Sequence, residues 1–246
     1  MTTSYTVIEH ILVTMARQVR DGLLVGQGVN SVMASLAIAL AKRTHAPNAI
    51  CINIGGGVDV LPIPLPPSSV APQWMRGTPV IVSNADLYSH MFAGRFDLFF
   101  SSGVQIDARG RINISVIGDQ KKPKVRLSGG GGLPVVFQTV KRIVLWRPKH
   151  TPRIFVDKVD FATAAGNVTH VITPLCVFVM RGGRLALSQL FPGATEADVR
   201  ANTGFAFEIA PGGLSEVPPP TERELALIDE LDPHGHRQLE FKTAHA

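Results

Sequence analysis

Apolar positions along the chain set the first expectations. Val7, Ile8, Ile11, Leu12, Met15 and Val19 recur at helical spacing, which predicts a helix from Thr6 to Asp21 with Gly22 as its C-cap. A short apolar strand, Leu23-Leu24-Val25, follows. Gly26-Gln27-Gly28 then turns the chain into a second helix, from Ser31 to Lys42. The run from Ala49 to Ile54 predicts a strand buried on both faces, as parallel strands are, leading directly into Gly55-Gly56-Gly57. Val60 to Pro72 carries too many prolines for regular structure. A helix over Asp86 to Gly94 and a buried strand at Leu98-Phe99-Phe100 follow.

The second half is richer in β pattern. Arg111 to Ile117 is β-rich, Ser128 to Gly132 is a glycine loop, and Val135 to Trp146 and Ile154 to Phe161 are further apolar segments. Val171 to Met180 and Leu185 to Leu190 flank Arg181-Gly182-Gly183-Arg184 as the arms of a hairpin. Thr195 with Asp198, and Thr221 with Glu224, have the spacing of helix capping boxes, and Pro233 ends the second helix. Strands alternating with helices predict an α/β fold with a mainly parallel central sheet flanked by helices. The whole chain, 1–246, reads as a single domain with a mobile tail from about residue 234.

Composition narrows the picture. The formal net charge is +5, from 24 basic and 19 acidic side chains, and the basic residues do not interleave with aromatics as in a nucleic-acid tract. Lys121, Lys122, Lys124 and Arg126 are the one basic run, which reads as a solvated face or as a partner for phosphates. The low charged content, 17%, points to surface buried against a partner subunit. Two distant cysteines, Cys51 and Cys176, and no N-terminal signal pattern point to a reducing cytoplasm. The eight histidines form no metal-ligand pattern, so no metal is expected. Gly26-Gln27-Gly28 lacks the third glycine of a dinucleotide fingerprint, because Ser31 stands there, and no acidic residue follows at ribose-binding distance.

The run Gly103-Val104-Gln105-Ile106-Asp107, Gly110, Ile112-Asn113-Ile114-Ser115-Val116-Ile117-Gly118-Asp119, then Lys122-Pro123-Lys124-Val125-Arg126-Leu127-Ser128-Gly129-Gly130-Gly131-Gly132, resembles the β subunits of class I CoA-transferases, the glutaconate type especially. Val25-Gly26-Gln27-Gly28, Ala41 to Pro47, and Pro192-Gly193 with Thr195, Asp198 and Val199 fit the same family in the same order. The resemblance implies a CoA-transferase-type fold, an α-type partner subunit in an α2β2 heterotetramer, and an acyl-CoA substrate. It implies no cofactor beyond the coenzyme A of that substrate.

Family transferases use a β-subunit glutamate at the end of the strand after the second helix. Here that strand ends in Gly55-Gly56-Gly57, and no glutamate lies anywhere between Glu9 and Glu196. The covalent route therefore has no glutamate nucleophile in this chain. Gly130 and Gly131, with Ser128 and Gly129, remain as backbone donors for an enolate-like thioester oxygen; a plain loop is the alternative. Cys51 reads either as a catalytic acid, base or nucleophile or as packing. Asn53 reads as a substrate ligand or as a partner for a buried backbone group. Gln105 reads as an orienting residue for the substrate, Asp107 as the builder of the turn before Gly110, and Gly55, Gly56 and Gly57 as substrate-lining positions.

Among family reactions, the cofactor-free decarboxylation of 3-methylglutaconyl-CoA to 3,3-dimethylacrylyl-CoA, in isovaleryl-CoA biosynthesis, is the expected activity. The alternatives are a C–C-bond hydrolase of the ring-cleaving type, a transferase whose nucleophile lies outside this chain, and a non-catalytic subunit completing a partner's site.

Overall fold

The computed structural model describes residues 4–29 and 31–242. They fall into two compact units, the first built from the chain up to Phe100 and again from Pro218 onward, the second from Ser101 to Val217.

In the first unit, α1 (Val7–Ala16) opens on a reciprocal capping box: Thr6 caps the helix and Glu9 reaches back to the Thr6 backbone. The helix stops five residues short of the expected Asp21. Arg17, its C-cap, donates instead to the carbonyls of Pro218 and Pro219 and to Glu224. Strand β1 (Leu24–Gln27) pairs in parallel with β2 (Ile50–Cys51) on one side and with β3 (Leu98–Ser101) on the other, in register Leu24 to Ile50 and Gln27 to Phe100. Between β1 and β2 lies α2 (Val32–Arg43), buried on every face from Val32 to Ala41. A helix apolar all round belongs at the centre of a core. It packs on α1 and β1. Asn84–Phe92 forms α3, capped by Ser83.

The second unit holds two small antiparallel pairs, β4 (Gln105–Ile106) with β5 (Ile112–Asn113) and β6 (Val116–Gly118) with β7 (Pro123–Arg126). The glycine loop and α4 (Leu133–Thr139) follow. A mixed sheet then runs in the order β8-β9-β10-β11-β12. Its strands are β8 (Arg142–Trp146), β9 (Val168–Ile172), β10 (Cys176–Arg181), β11 (Arg184–Leu190) and β12 (Ser215–Glu216). β8 pairs with β9, and β11 with β12, in parallel; β10 is antiparallel to both its neighbours. The hairpin turns at Gly182 and Gly183, both at positive φ, as its residues led us to expect. Glu196–Ala201 forms α5 on the Thr195–Asp198 capping box.

The chain returns to the first unit as α6 (Glu222–Leu231), opened by the Thr221–Glu224 capping box and packed on α2 and α1. The stretch from 234, expected to be mobile, is instead folded through Lys242. A 3₁₀ turn at His236–Gln238 leads into α7 (Leu239–Lys242). Arg237 ties it down with ion pairs to Glu9 at 2.7 Å, Asp229 at 2.9 Å and Asp232 at 3.2 Å. Residues 243–246 lie outside the described residues.

Candidate functional site

In the first unit the candidate residues gather where β2 ends. Only Ile50 and Cys51 are laddered, although the apolar pattern extends to Ile54. Asn53 explains the early stop. Its Oδ1 accepts the Gly55 N–H at 2.7 Å and its carbonyl accepts the Gly56 N–H at 2.8 Å. That side-chain turn competes with the strand and folds the chain back, so that Ile52 bridges Val58 in antiparallel fashion. Asn53 therefore meets the half-buried Gly55 N–H through its oxygen, while its Nδ2 has no protein partner.

The three glycines of this turn differ from the expectation that all of them open space for a ligand. A Cβ on Gly57 would stand 1.9 Å from the Trp74 carbonyl oxygen, and one on Gly56 would stand 2.3 Å from that of Val82. Both are buried, and Gly56 also sits at φ +95°. The crowding comes from the protein's own backbone, so Gly56 and Gly57 are required by packing. Gly55 is half-buried and meets only Asn53 Oδ1 at 3.1 Å and Val70 Cα at 4.0 Å, and so is the least crowded of the three.

Cys51 is buried, with its thiol 3.7 Å from Gln27 Oε1. Burial above all, and Asp59 second, push the thiol up to about 12 against the opposing effect of Lys42. At neutral pH it is a protonated, weakly nucleophilic group that can serve as a hydrogen-bond donor. Two neighbours escaped the sequence reading. Gln27, fully buried on β1, links Cys51 to Ser35. Asp59, at φ +57°, is paired with Lys42 at 2.7 Å. Lys42 also donates to the Ala49 carbonyl, so this carboxylate and this ammonium are both engaged.

In the second unit, Gln105 and Asn113 face each other across β4 and β5. Gln105 Oε1 accepts from Asn113 Nδ2 at 2.7 Å and from the Asp160 N–H at 2.9 Å. The oxygen is thus committed to structure, and only the Nε2 side of the amide could serve a ligand. Asp107 builds the expected turn, accepting from the Arg109 and Arg111 N–H groups and pairing with the Arg111 guanidinium at 2.6 Å.

The glycine loop rests on Thr163, for which the sequence gives no signal. Its hydroxyl accepts the Ile114 N–H at 3.0 Å and bonds Ser115 Oγ at 2.7 Å. Its methyl would lie 2.6 Å from a Cβ on Gly130. The Gly129 N–H is committed to the Ile114 carbonyl. Those of Gly130 and Gly131 make no hydrogen bond among the described residues. Gly129 and Gly131 stand at φ +84° and +51° with open space where a Cβ would be. Ser128 is exposed beside them. Gly131 alone of the three combines a free amide with open space, which is what an oxyanion requires of a donor; the free amide of Gly130 lies beside Thr163 and Pro134.

No described helix is long and apolar enough to cross a membrane. The sequence model of the coenzyme A transferase family matches residues 8–202. Over 99% of its length the chain is 30% identical to the B-type subunit of the 3-oxoadipate CoA-transferase of Pseudomonas knackmussii, covering 96% of that protein. It is 27% identical to the B-type subunit of the glutaconate CoA-transferase of Acidaminococcus fermentans, covering 94% of each. The crystal structure of the decarboxylase AibA/AibB superposes with a TM-score of 0.90 at 33% identity, over 96% of this chain and 99% of that one. The chain therefore belongs to the coenzyme A transferase family, as a B-type subunit.

Proposed function

We propose that this chain is the B-type subunit of a cofactor-free acyl-CoA decarboxylase that converts 3-methylglutaconyl-CoA to 3,3-dimethylacrylyl-CoA and CO2, on the route to isovaleryl-CoA. The observation that carries the reading is the turn after β2. It holds glycines in place of a glutamate nucleophile, and Asp59 beyond it is engaged by Lys42. The likeness to the decarboxylase AibA/AibB supports the same choice. The relatives named as transferases favour the transfer reaction, but transfer through an acyl-enzyme anhydride needs a free carboxylate.

Decarboxylation needs less. The carbon–carboxylate bond breaks and its electron pair enters the conjugated thioester, giving CO2 and a dienolate. A proton delivered to the terminal carbon then completes the product. The amides of Gly130 and Gly131 hold the thioester oxygen as it gains charge, each such donor contributing about 3 kcal/mol. Cys51, protonated and directed at Gln27 within the first unit, adds no negative charge. Coenzyme A is part of the substrate, and no other cofactor takes part. An A-type partner completes an α2β2 heterotetramer in the cytoplasm, where the two free, buried cysteines remain reduced.

The test uses the chain co-expressed with its A-type partner. Purified complex should release CO2 from 3-methylglutaconyl-CoA without added metal or cofactor. Acyl exchange between CoA esters and free acids, with no CO2 release, would establish the transferase reading instead.

A further inference from the structure

Among the described residues of the first unit, two deeply buried polar atoms have no protein partner: Nδ2 of Asn53 and Oγ of Ser69. The two residues are 2% and 1% exposed. A buried polar group left unpaired costs about 1–3 kcal/mol, so a fold that keeps two of them has a use for them.

They sit on the two segments that meet at Gly55. Asn53 holds the Gly55 N–H through Oδ1, and Val70, next to Ser69, places its Cα 4.0 Å from where a Gly55 Cβ would stand. Ser69 does nothing for its own loop through its side chain. That task falls to Ser68, whose carbonyl takes the Trp74 indole N–H at 3.0 Å and whose hydroxyl takes the Val70 N–H at 3.3 Å.

We propose that Asn53 and Ser69 bind the free carboxylate at the far end of a dicarboxylic acyl-CoA, which makes them the residues that select an acyl chain ending in an acid. An amide nitrogen only donates, a hydroxyl can donate, and an ionised carboxylate only accepts. Lys42, the nearby cation, is already engaged by Asp59 and the Ala49 carbonyl, so the carboxylate is held by neutral donors alone. Neutral donors select the group without fixing its charge in an ion pair, and a carboxylate that must leave as CO2 benefits from that. This inference deepens the decarboxylase reading and rests on it for the identity of the substrate.

The experiment compares two ligands on the intact complex with its A-type partner: glutaryl-CoA, which ends in a carboxylate, and isovaleryl-CoA, which does not. In Ser69→Ala, glutaryl-CoA should bind about tenfold more weakly or worse, while isovaleryl-CoA changes less than about twofold. The Tm of Ser69→Ala should not fall, because no protein hydrogen bond is removed. Asn53→Ser retains a side-chain oxygen for the Gly55 N–H and should show the same selectivity.

Unchanged glutaryl-CoA affinity, or equal weakening of both ligands, overturns the proposal. So does a lowered Tm with unchanged binding in Ser69→Ala, which is the signature of a buried water bridging the two groups. A complex that releases no CO2 yet loses glutaryl-CoA selectively would refute the decarboxylase and leave this assignment standing.

Discussion

The turn after β2 and the loop before α4 are both glycine-rich, and in sequence they read alike. In the structure they serve opposite needs. Gly56 and Gly57 are glycines because Val82 and Trp74 carbonyls already occupy the space of a side chain. Gly129 and Gly131 are glycines because their backbone takes a left-handed φ beside empty space. A glycine run is therefore ambiguous until its surroundings are known. One kind marks close packing within the chain, and the other marks room for something else.

The largest expected effect falls on the crowded turn. Gly57→Ala forces a Cβ to within 1.9 Å of a backbone oxygen that cannot swing away, and should destabilise the chain by about 3 kcal/mol or more. Denaturant unfolding of the complex measures this, and a loss below about 1 kcal/mol would break the comparison.

The second unit offers a separate probe of its own stability. His150 is buried between Thr173 and Thr203, 2.9 Å from each hydroxyl, and stacks on Phe155. Burial lowers its pKa to about 3. The folded state therefore keeps it neutral while the unfolded chain takes up a proton below about pH 6.5. Its stabilising contribution is full above that pH and falls as pH drops toward 3. The loss should reach about 2 kcal/mol at pH 5, and it should disappear in a parallel series on His150→Gln. If the loss adds to that of Gly57→Ala, the two sites are energetically independent.

Smallest in stability is Gly131→Ala. Nothing crowds its Cβ, so only the left-handed φ resists, at about 1 kcal/mol. Turnover should nonetheless fall by about tenfold or more if the loop amides hold the thioester oxygen. A stability loss equal to that of Gly57→Ala would erase the distinction between the two glycine sites.

Much of the fold was legible because local rules agreed with the final structure. The strand–turn–helix from Leu24 to Arg43, the hairpin at Gly182-Gly183 and the two later capping boxes all lie near where the residues place them. The Thr6–Glu9 box carried the same signal and could have been read from the same spacing. The errors came where local hydrogen bonding outweighed a pattern. Asn53 ended a strand that apolar periodicity carried to Ile54, while the helix that periodicity carried to Asp21 tightened into i→i−3 turns at Gln18 and Val19. Of the candidate site, the glycine loop and Asn53 could be found from sequence. Ser69 and Thr163 could not, since a lone hydroxyl carries no pattern and its role depends on which partners folding brings or withholds.

The division of the chain has a consequence for its synthesis. Residues 101–217 are continuous, so every segment of the second unit is made in one stretch of synthesis. The first unit begins emerging earlier but lacks α6 and the partners of Arg17 until Pro218, Pro219 and Glu224 arrive. Glu9 waits longer still, for Arg237. The part of the chain made first is thus the last to be completed. Its apolar α2 completes its packing only when α6 arrives from the far end of the chain.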